Sequence, residues 1–175
     1  RQSQEIDGQT KSATFKQDTC GKWHVTLVIA FTMPDVSLPI PNPLKVVGLD
    51  AGLGSFLVLS NGESPTEAPK FYRKAQKRLR RAQRVFSRRK SGSNRRAKAK
   101  NRVARIHQKT TNQRQDFLHK KSTDLINRFD AICIEDLCIK GLVKTKLAKS
   151  FFDAAHGEFR RQLTYKAVWN RKHLI

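Results

Sequence analysis

Val46-Val47-Gly48-Leu49-Asp50-Ala51-Gly52 and, far downstream, Ala131-Ile132-Cys133-Ile134-Glu135-Asp136-Leu137 decide the reading of this chain. Each is an apolar run of strand length that ends on a carboxylate. Short continuous apolar runs bounded by turn residues suit strands with both faces covered. Adjacent parallel strands of this kind bring two carboxylates side by side at one sheet edge. Between the two runs lies a dense stretch of Lys and Arg. An acid pair beside a strongly basic surface points to metal-dependent chemistry on a phosphodiester. Each signal is weak alone: Asp-x-Gly after a strand is also an ordinary turn, and Glu135-Asp136 equally suits a solvated strand end.

Working outward, Ser55–Ser60 reads as a second strand joined to the first by Gly52-Leu53-Gly54, and Asn61-Gly62 is a hairpin turn signal that puts a short third strand near Glu63. Apolar residues then fall at Phe71, Ala75, Leu79, Ala82 and Phe86, the steps of three and four that mark a helix. Ser91-Gly92-Ser93-Asn94 breaks it. A second helix runs from about Arg95 to Asn127, with Val103, Ile106, Thr110, Gln113 and Phe117 on one side. After the strand at 131–134, Phe152, Ala155, Phe159, Leu163 and Ala167 mark a last helix bent at Gly157, and no further strand is expected. Upstream, Trp23, Val25, Leu27, Ile29 and Phe31 alternate with His24, Thr26, Val28 and Ala30, so residues 12–31 read as a β-hairpin turned at Asp18–Lys22 with Trp23 in its core. Pro34, Pro39, Pro41 and Pro43 mark an extended linker.

The 175 residues carry 36 Lys and Arg against 14 Asp and Glu, a formal charge of +22. Such an excess repels itself unless a polyanion offsets it, and nucleic acid is the natural one. From Lys70 to Lys121 the only acid is Asp116, whereas ordinary solvated helices interleave both signs. Arg78, Arg81, Arg88, Arg89, Arg95, Arg96, Lys98, Arg102 and Arg105 are the candidate phosphate contacts, and Tyr165-Lys166 a further candidate for touching DNA. No apolar run is long enough to span a membrane, and no helix sets a basic face against a continuous Trp/Leu face, so no membrane partner is expected. Cys20, Cys133 and Cys138 form no Cys-x-x-Cys pair, so zinc is not expected here. Cys133 and Cys138 read as small buried thiols, in keeping with a reducing, cytoplasmic setting. His107, His119, His156 and His173 read as surface or helix-packing residues.

The element order resembles the opening of an RNase H-like (RuvC-type) domain: an α/β fold whose mixed sheet carries an inserted basic helical hairpin. Two neighbouring carboxylates at a sheet edge repel unless a cation lies between them. Mg²⁺ suits such a pair, since it takes one or two carboxylates and completes its shell with water and phosphate oxygens; Mn²⁺ is an alternative.

Further stretches fall in order. Lys45–Leu53 with Leu59-Ser60-Asn61-Gly62-Glu63 resembles the first catalytic motif of the TnpB family, the transposon-encoded RNA-guided DNA endonucleases related to type V CRISPR effectors. Lys70-Phe71-Tyr72-Arg73-Lys74 resembles that family's entry to its basic helices, and Asn112–Lys120 the helix before its second motif. Ile134-Glu135-Asp136-Leu137 resembles the second motif itself, and Gln162–Lys166 with Trp169 the helix after it. The match covers most of residues 22–172. The resemblance implies Asp50 and Glu135 as catalytic, metal-binding carboxylates, and it selects Glu135 over Asp136. It also implies guide RNA and target DNA as partners. Gly21-Lys22-Trp23 resembles the last hairpin of the family's wedge β-barrel. The implied organisation is a wedge hairpin at 1–33, a Pro-rich linker at 34–44, and an incomplete RuvC-like domain at 45–175 with its helical hairpin at about 70–127.

The family also has a zinc-binding loop with paired cysteines and a third motif with a third catalytic Asp. Neither is recognisable here: after Glu135 the acids are Asp136, Asp153 and Glu158. The chain is therefore expected to be an internal piece of a longer protein, whose 175 residues alone bind but do not cut. Two function classes stay open, a nuclease and a non-cleaving nucleic-acid-binding module. Outside the family, an RNase H-like transposase or resolvase acting without guide RNA is the alternative.

Overall fold

A computed structural model describes residues 8–30, 37–52, 54–135 and 155–175. The chain divides into two compact units, Arg1–Ser37 with Ala82–Arg105, and Leu38–Arg81 with Ile106–Ile175.

In the first unit, β1 (Gln9–Gln17) and β2 (Trp23–Ala30) form an antiparallel hairpin whose register runs from Gln17↔Trp23 to Gln9↔Ala30, with an irregularity between Thr10 and Ser12. Asp18 builds the turn: its Oδ1 accepts the backbone N–H groups of Cys20 and Lys22, and Gly21 takes φ +85°. The hairpin is the expected one, but it lacks the expected core. Trp23 is 68% exposed and Phe15 70%. Among the described residues no second layer covers either face of this two-stranded sheet. The rest of the unit is the tip of the helical hairpin. Ser93 caps the second helix, its carbonyl and hydroxyl both accepting from the Arg96 N–H. The Arg96 guanidinium lies 4.4 Å from the Phe86 ring centre and donates to the Arg89 carbonyl.

The second unit holds a five-stranded mixed sheet. Its strands are β3 (Val46–Asp50), β4 (Ser55–Leu59), β5 (Thr66–Glu67), β6 (Ala131–Ile134) and β7 (His173–Leu174), in the order β5-β4-β3-β6-β7. β3 is antiparallel to β4 and parallel to β6; β6 is in turn parallel to β7. Between β5 and β6 the chain forms α1 (Phe71–Ser87) and α2 (Asn94–Arg128), the helical hairpin expected between third and fourth strands. At 35 residues α2 is about 52 Å long. α3 (His156–Trp169) connects β6 back to β7.

Alternation in β3 and β6 sends Val47, Leu49 and Ile132 to one face. There they pack with Leu118, Leu125 and Ile126 of α2 and Phe159, Leu163 and Ala167 of α3. β4 departs from alternation where its pairing with β5 is irregular, between Ser55 and Leu57, so Phe56 and Leu57 are both buried. Phe56 is the hub of the core: the rings of Phe117, Phe159 and His156 lie 5.1, 5.2 and 5.0 Å from it. His156 Nε2 bonds the Gly52 carbonyl, and burial lowers its pKa.

Two expectations shift in this unit. The third strand starts at Thr66, not near Glu63, because Asn61 Oδ1 accepts the Glu63 N–H and extends the turn. A strand does follow β6. β7 was not foreseen, and it bears no acid; Lys172 anchors it through a 2.6 Å ion pair with Asp130, whose pKa it lowers. Phe152, Cys138, Asp136 and Asp153 lie outside the described residues.

α2 and α3 are joined by polar bonds as well as apolar contacts. Lys166 Nζ, half-buried, donates to the His119 carbonyl, Ser122 Oγ and Thr123 Oγ1 and so ties α3 to α2. The buried Gln162 amide donates to Gln115 Oε1 and Glu158 Oε1. Glu158 receives two 2.8 Å bonds from Arg161, which, with the Gln162 bond, hold its pKa down from an ordinary 4.5 to about 2. A carboxylate with a depressed folded pKa stabilises the fold above its unfolded value and loses that contribution as protons bind. The difference in thermal midpoint between the protein and Glu158→Gln should therefore be full above about pH 4.5 and shrink towards pH 2. A pH-independent difference would show that Glu158 acts by packing alone.

Candidate functional site

The parallel register of β3 and β6 builds the site. Val46 faces Ala131, Val47 faces Ile132, Gly48 faces Cys133 and Leu49 faces Ile134. One residue further along the same register come Asp50 and Glu135. Neighbouring strands lie about 4.8 Å apart, so the acids are neighbours, and strand parity puts both on the face opposite Val47, Leu49 and Ile132. Both are exposed. They open into a cavity of about 570 Å³ shared with Gly48, Val58, Ser60, Cys133 and Ile175.

Most side chains on that face beside the acids are small. Gly48 has none, and a Cβ there would lie 3.5 Å from Ser60. Ser60 Oγ accepts the Gly48 N–H at 2.9 Å while the Ser60 N–H donates to the Gly48 carbonyl. Strand parity, counted two residues on from the exposed Val58, sets Ser60 on this face, a residue the apolar runs alone do not single out. Cys133 was expected to be buried; it is half-buried and lines the cavity, because it shares the face of Glu135. Among the described residues no three His, Cys, Asp or Glu side chains cluster as a metal site. The candidate donor set is the carboxylate pair. It fits Mg²⁺, which binds through few carboxylates and leaves positions for water and phosphate; the small residues beside the acids leave room for both. Glu158 is committed to Arg161 and Gln162 in α3.

The basic candidates divide between the units. Arg78 and Arg81 belong to the second; Arg88, Arg89, Arg95, Arg96, Lys98, Arg102 and Arg105 to the first. All are exposed except Arg96, which is half-buried over Phe86. In the second unit, α1 and α2 also enclose a groove lined by Arg78 together with Lys74 and Lys109, two cations not singled out from the sequence. Among the described residues no helix is long and apolar enough to cross a membrane.

Residues 29–146 match the OrfB_IS605 family model, described as a probable transposase. The chain belongs to this family. A "Putative RNA-guided DNA endonuclease" of Streptomyces pristinaespiralis is 41% identical over 165 residues, covering 94% of this chain and 40% of that protein. "Putative RNA-guided DNA endonuclease InsQ" of Escherichia coli (strain K12) is 34% identical over 185 aligned positions, covering 97% and 45%. The chain spans less than half the length of these relatives. A cryo-EM structure of a CRISPR-Cas12f ternary complex is similar at a TM-score of 0.49 and 16% identity, over 93% of this chain and 34% of that one. The TnpB-type resemblance read from the motifs is thus correct at the level of family.

The Ser60 hydroxyl is expected to hold β3 against the end of β4. Ser60→Ala should lower stability by about 1 kcal/mol, the usual net worth of one hydrogen bond, measured by urea unfolding. An unchanged midpoint would mean that water replaces the hydroxyl.

Proposed function

We propose that this OrfB-family chain is the RuvC-like, RNase H-type nuclease region of an RNA-guided DNA endonuclease. In this reading Asp50 and Glu135 hold Mg²⁺, or Mn²⁺ in its place, for phosphodiester hydrolysis of target DNA selected by a guide RNA, and the setting is cytoplasmic. The observation that carries the reading is the register that makes Asp50 and Glu135 neighbours on one face of two parallel strands, beside an open cavity. Its family and the names of its relatives support the same chemistry.

The chain's own residues have distinct tasks. Asp50 and Glu135 supply the negative charge for the ion, and their position at strand ends, not in a free loop, fixes their spacing. When bound, the ion would polarise the scissile phosphate and lower the pKa of a coordinated water. Gly48, Ser60 and Cys133 leave space beside the acids for a sugar-phosphate backbone. The basic helical hairpin binds RNA and DNA strands through their phosphates, Arg by bidentate contacts and Lys as point charges.

In the full-length protein, Asp50→Ala or Glu135→Ala should cut the cleavage rate by more than about 100-fold, beyond the cost of losing an outer-shell partner. DNA and RNA affinity should stay within about twofold. Full cleavage by either variant would remove that residue from the site. Binding without cleavage by the unaltered protein in Mg²⁺ and in Mn²⁺ would favour the second class, a non-cleaving module.

A further inference from the structure

The second unit carries a groove, separate from the acid pair, that neither the family nor the names of its relatives assign. Phe71, Lys74, Ala75 and Arg78 line it from α1, and Lys109 and Gln113 from α2, around about 360 Å³. The α1 residues fall at steps of three, one and three, and the α2 residues at a step of four, so each set lies on one helix face. No acid lines the groove. Among the described residues no carboxylate pairs with Lys74, Arg78 or Lys109, although Lys120, Arg128, Arg161 and Lys172 are paired elsewhere. Three unpaired cations around one cavity repel one another until an anion enters. α1 begins at Phe71 with no acid in its first turn, so its N-terminal N–H groups add to the positive field. The apolar side is fixed in place: the Phe71 ring meets the Phe117 ring edge-on at 6.1 Å, and Phe117 in turn packs on Phe56 in the core.

We infer that this groove seats one nucleotide of a bound nucleic-acid strand, with an internal backbone phosphate on Lys74, Arg78 and Lys109. The sugar and base lie against Phe71 and Ala75, within reach of the Gln113 amide. The volume exceeds what a lone phosphate needs and combines cations with an anchored aromatic ring, the pairing by which proteins hold single strands. The inference rests on the nucleic-acid reading above and adds a defined seat to it. An acidic protein segment would answer the charge but not the anchored ring.

The test is binding of a 20-nucleotide single-stranded DNA and RNA to the protein without divalent metal, by fluorescence anisotropy at several salt concentrations. Lys74→Ala/Lys109→Ala should weaken binding at least about tenfold at low salt and flatten the log–log salt slope by about 1.4, two contacts at about 0.7 each. Ala75→Phe fills the groove without changing charge; it should weaken binding several-fold with the protein still folded by circular dichroism. Arg88→Ala/Arg89→Ala removes the same charge in the other unit and is the control. If that pair weakens binding while both groove variants bind like the unaltered protein, the groove is overturned and the nucleic-acid reading stands. If no variant weakens binding, both fall. A requirement for a 5′-phosphate on the oligonucleotide would overturn the assignment to internal phosphates. Polyglutamate binding as tight as the oligonucleotide's, and lost in Ala75→Phe, would overturn the choice of nucleic acid.

Discussion

The structure depends on the parallel pairing of β3 with β6. Four residue pairs set that register, and a one-residue slip would turn every side chain of one strand to the opposite face. The slip is prevented from the buried side: Val47, Leu49 and Ile132 fit a core built by α2 and α3, and none could exchange places with Gly48, Cys133 or an acid without burying charge or exposing apolar surface. Hydrophobic packing on one face therefore determines carboxylate geometry on the other. Around this pair the sheet is completed by short elements held through specific bonds: β7 by Lys172 and Asp130, and the β4–β5 connection by the Asn61 turn and the Arg128–Glu63 ion pair.

The charge is arranged with the same economy. Acids in the second unit are largely spoken for: Glu63 by Arg128, Asp130 by Lys172, Glu158 by Arg161 and Gln162. Each has its pKa lowered by that partner. The helical hairpin carries few acids of its own, Asp116 and Asp124, against a large excess of Lys and Arg. Surface ion pairs contribute little to stability.

The sheet was legible because its central strands are continuous apolar runs, and the helices because their apolar steps are regular. The placing of Asp50 and Glu135 at neighbouring strand ends was legible for the same reason, each being the first charge after such a run. What escaped depended on contacts between distant segments. β7 is two residues long and has no pattern of its own; it is a strand only because β6 presents an open edge. Trp23 was misread because alternation tells which residues share a face but not whether anything covers it. Cys133 looks buried from the apolar character of its run, but strand parity puts it on the face of Glu135, where it is half-buried. Lys74 and Lys109 meet only because of how α1 lies against α2, which periodicity within either helix cannot reveal.

The β3–β6 pairing also has a consequence for how the molecule comes into being. Its two strands are separated in sequence by the whole helical hairpin, so the contact that joins them is among the most non-local in the fold. Such contacts require closure of a long chain segment before they return any free energy, and they form late. During synthesis Asp50 leaves the ribosome well before Glu135, while the basic helices between them can form from local interactions alone. A nascent chain thus displays its cationic surface before its two carboxylates can meet. Assembly of the acid pair is itself a report that the sheet has closed.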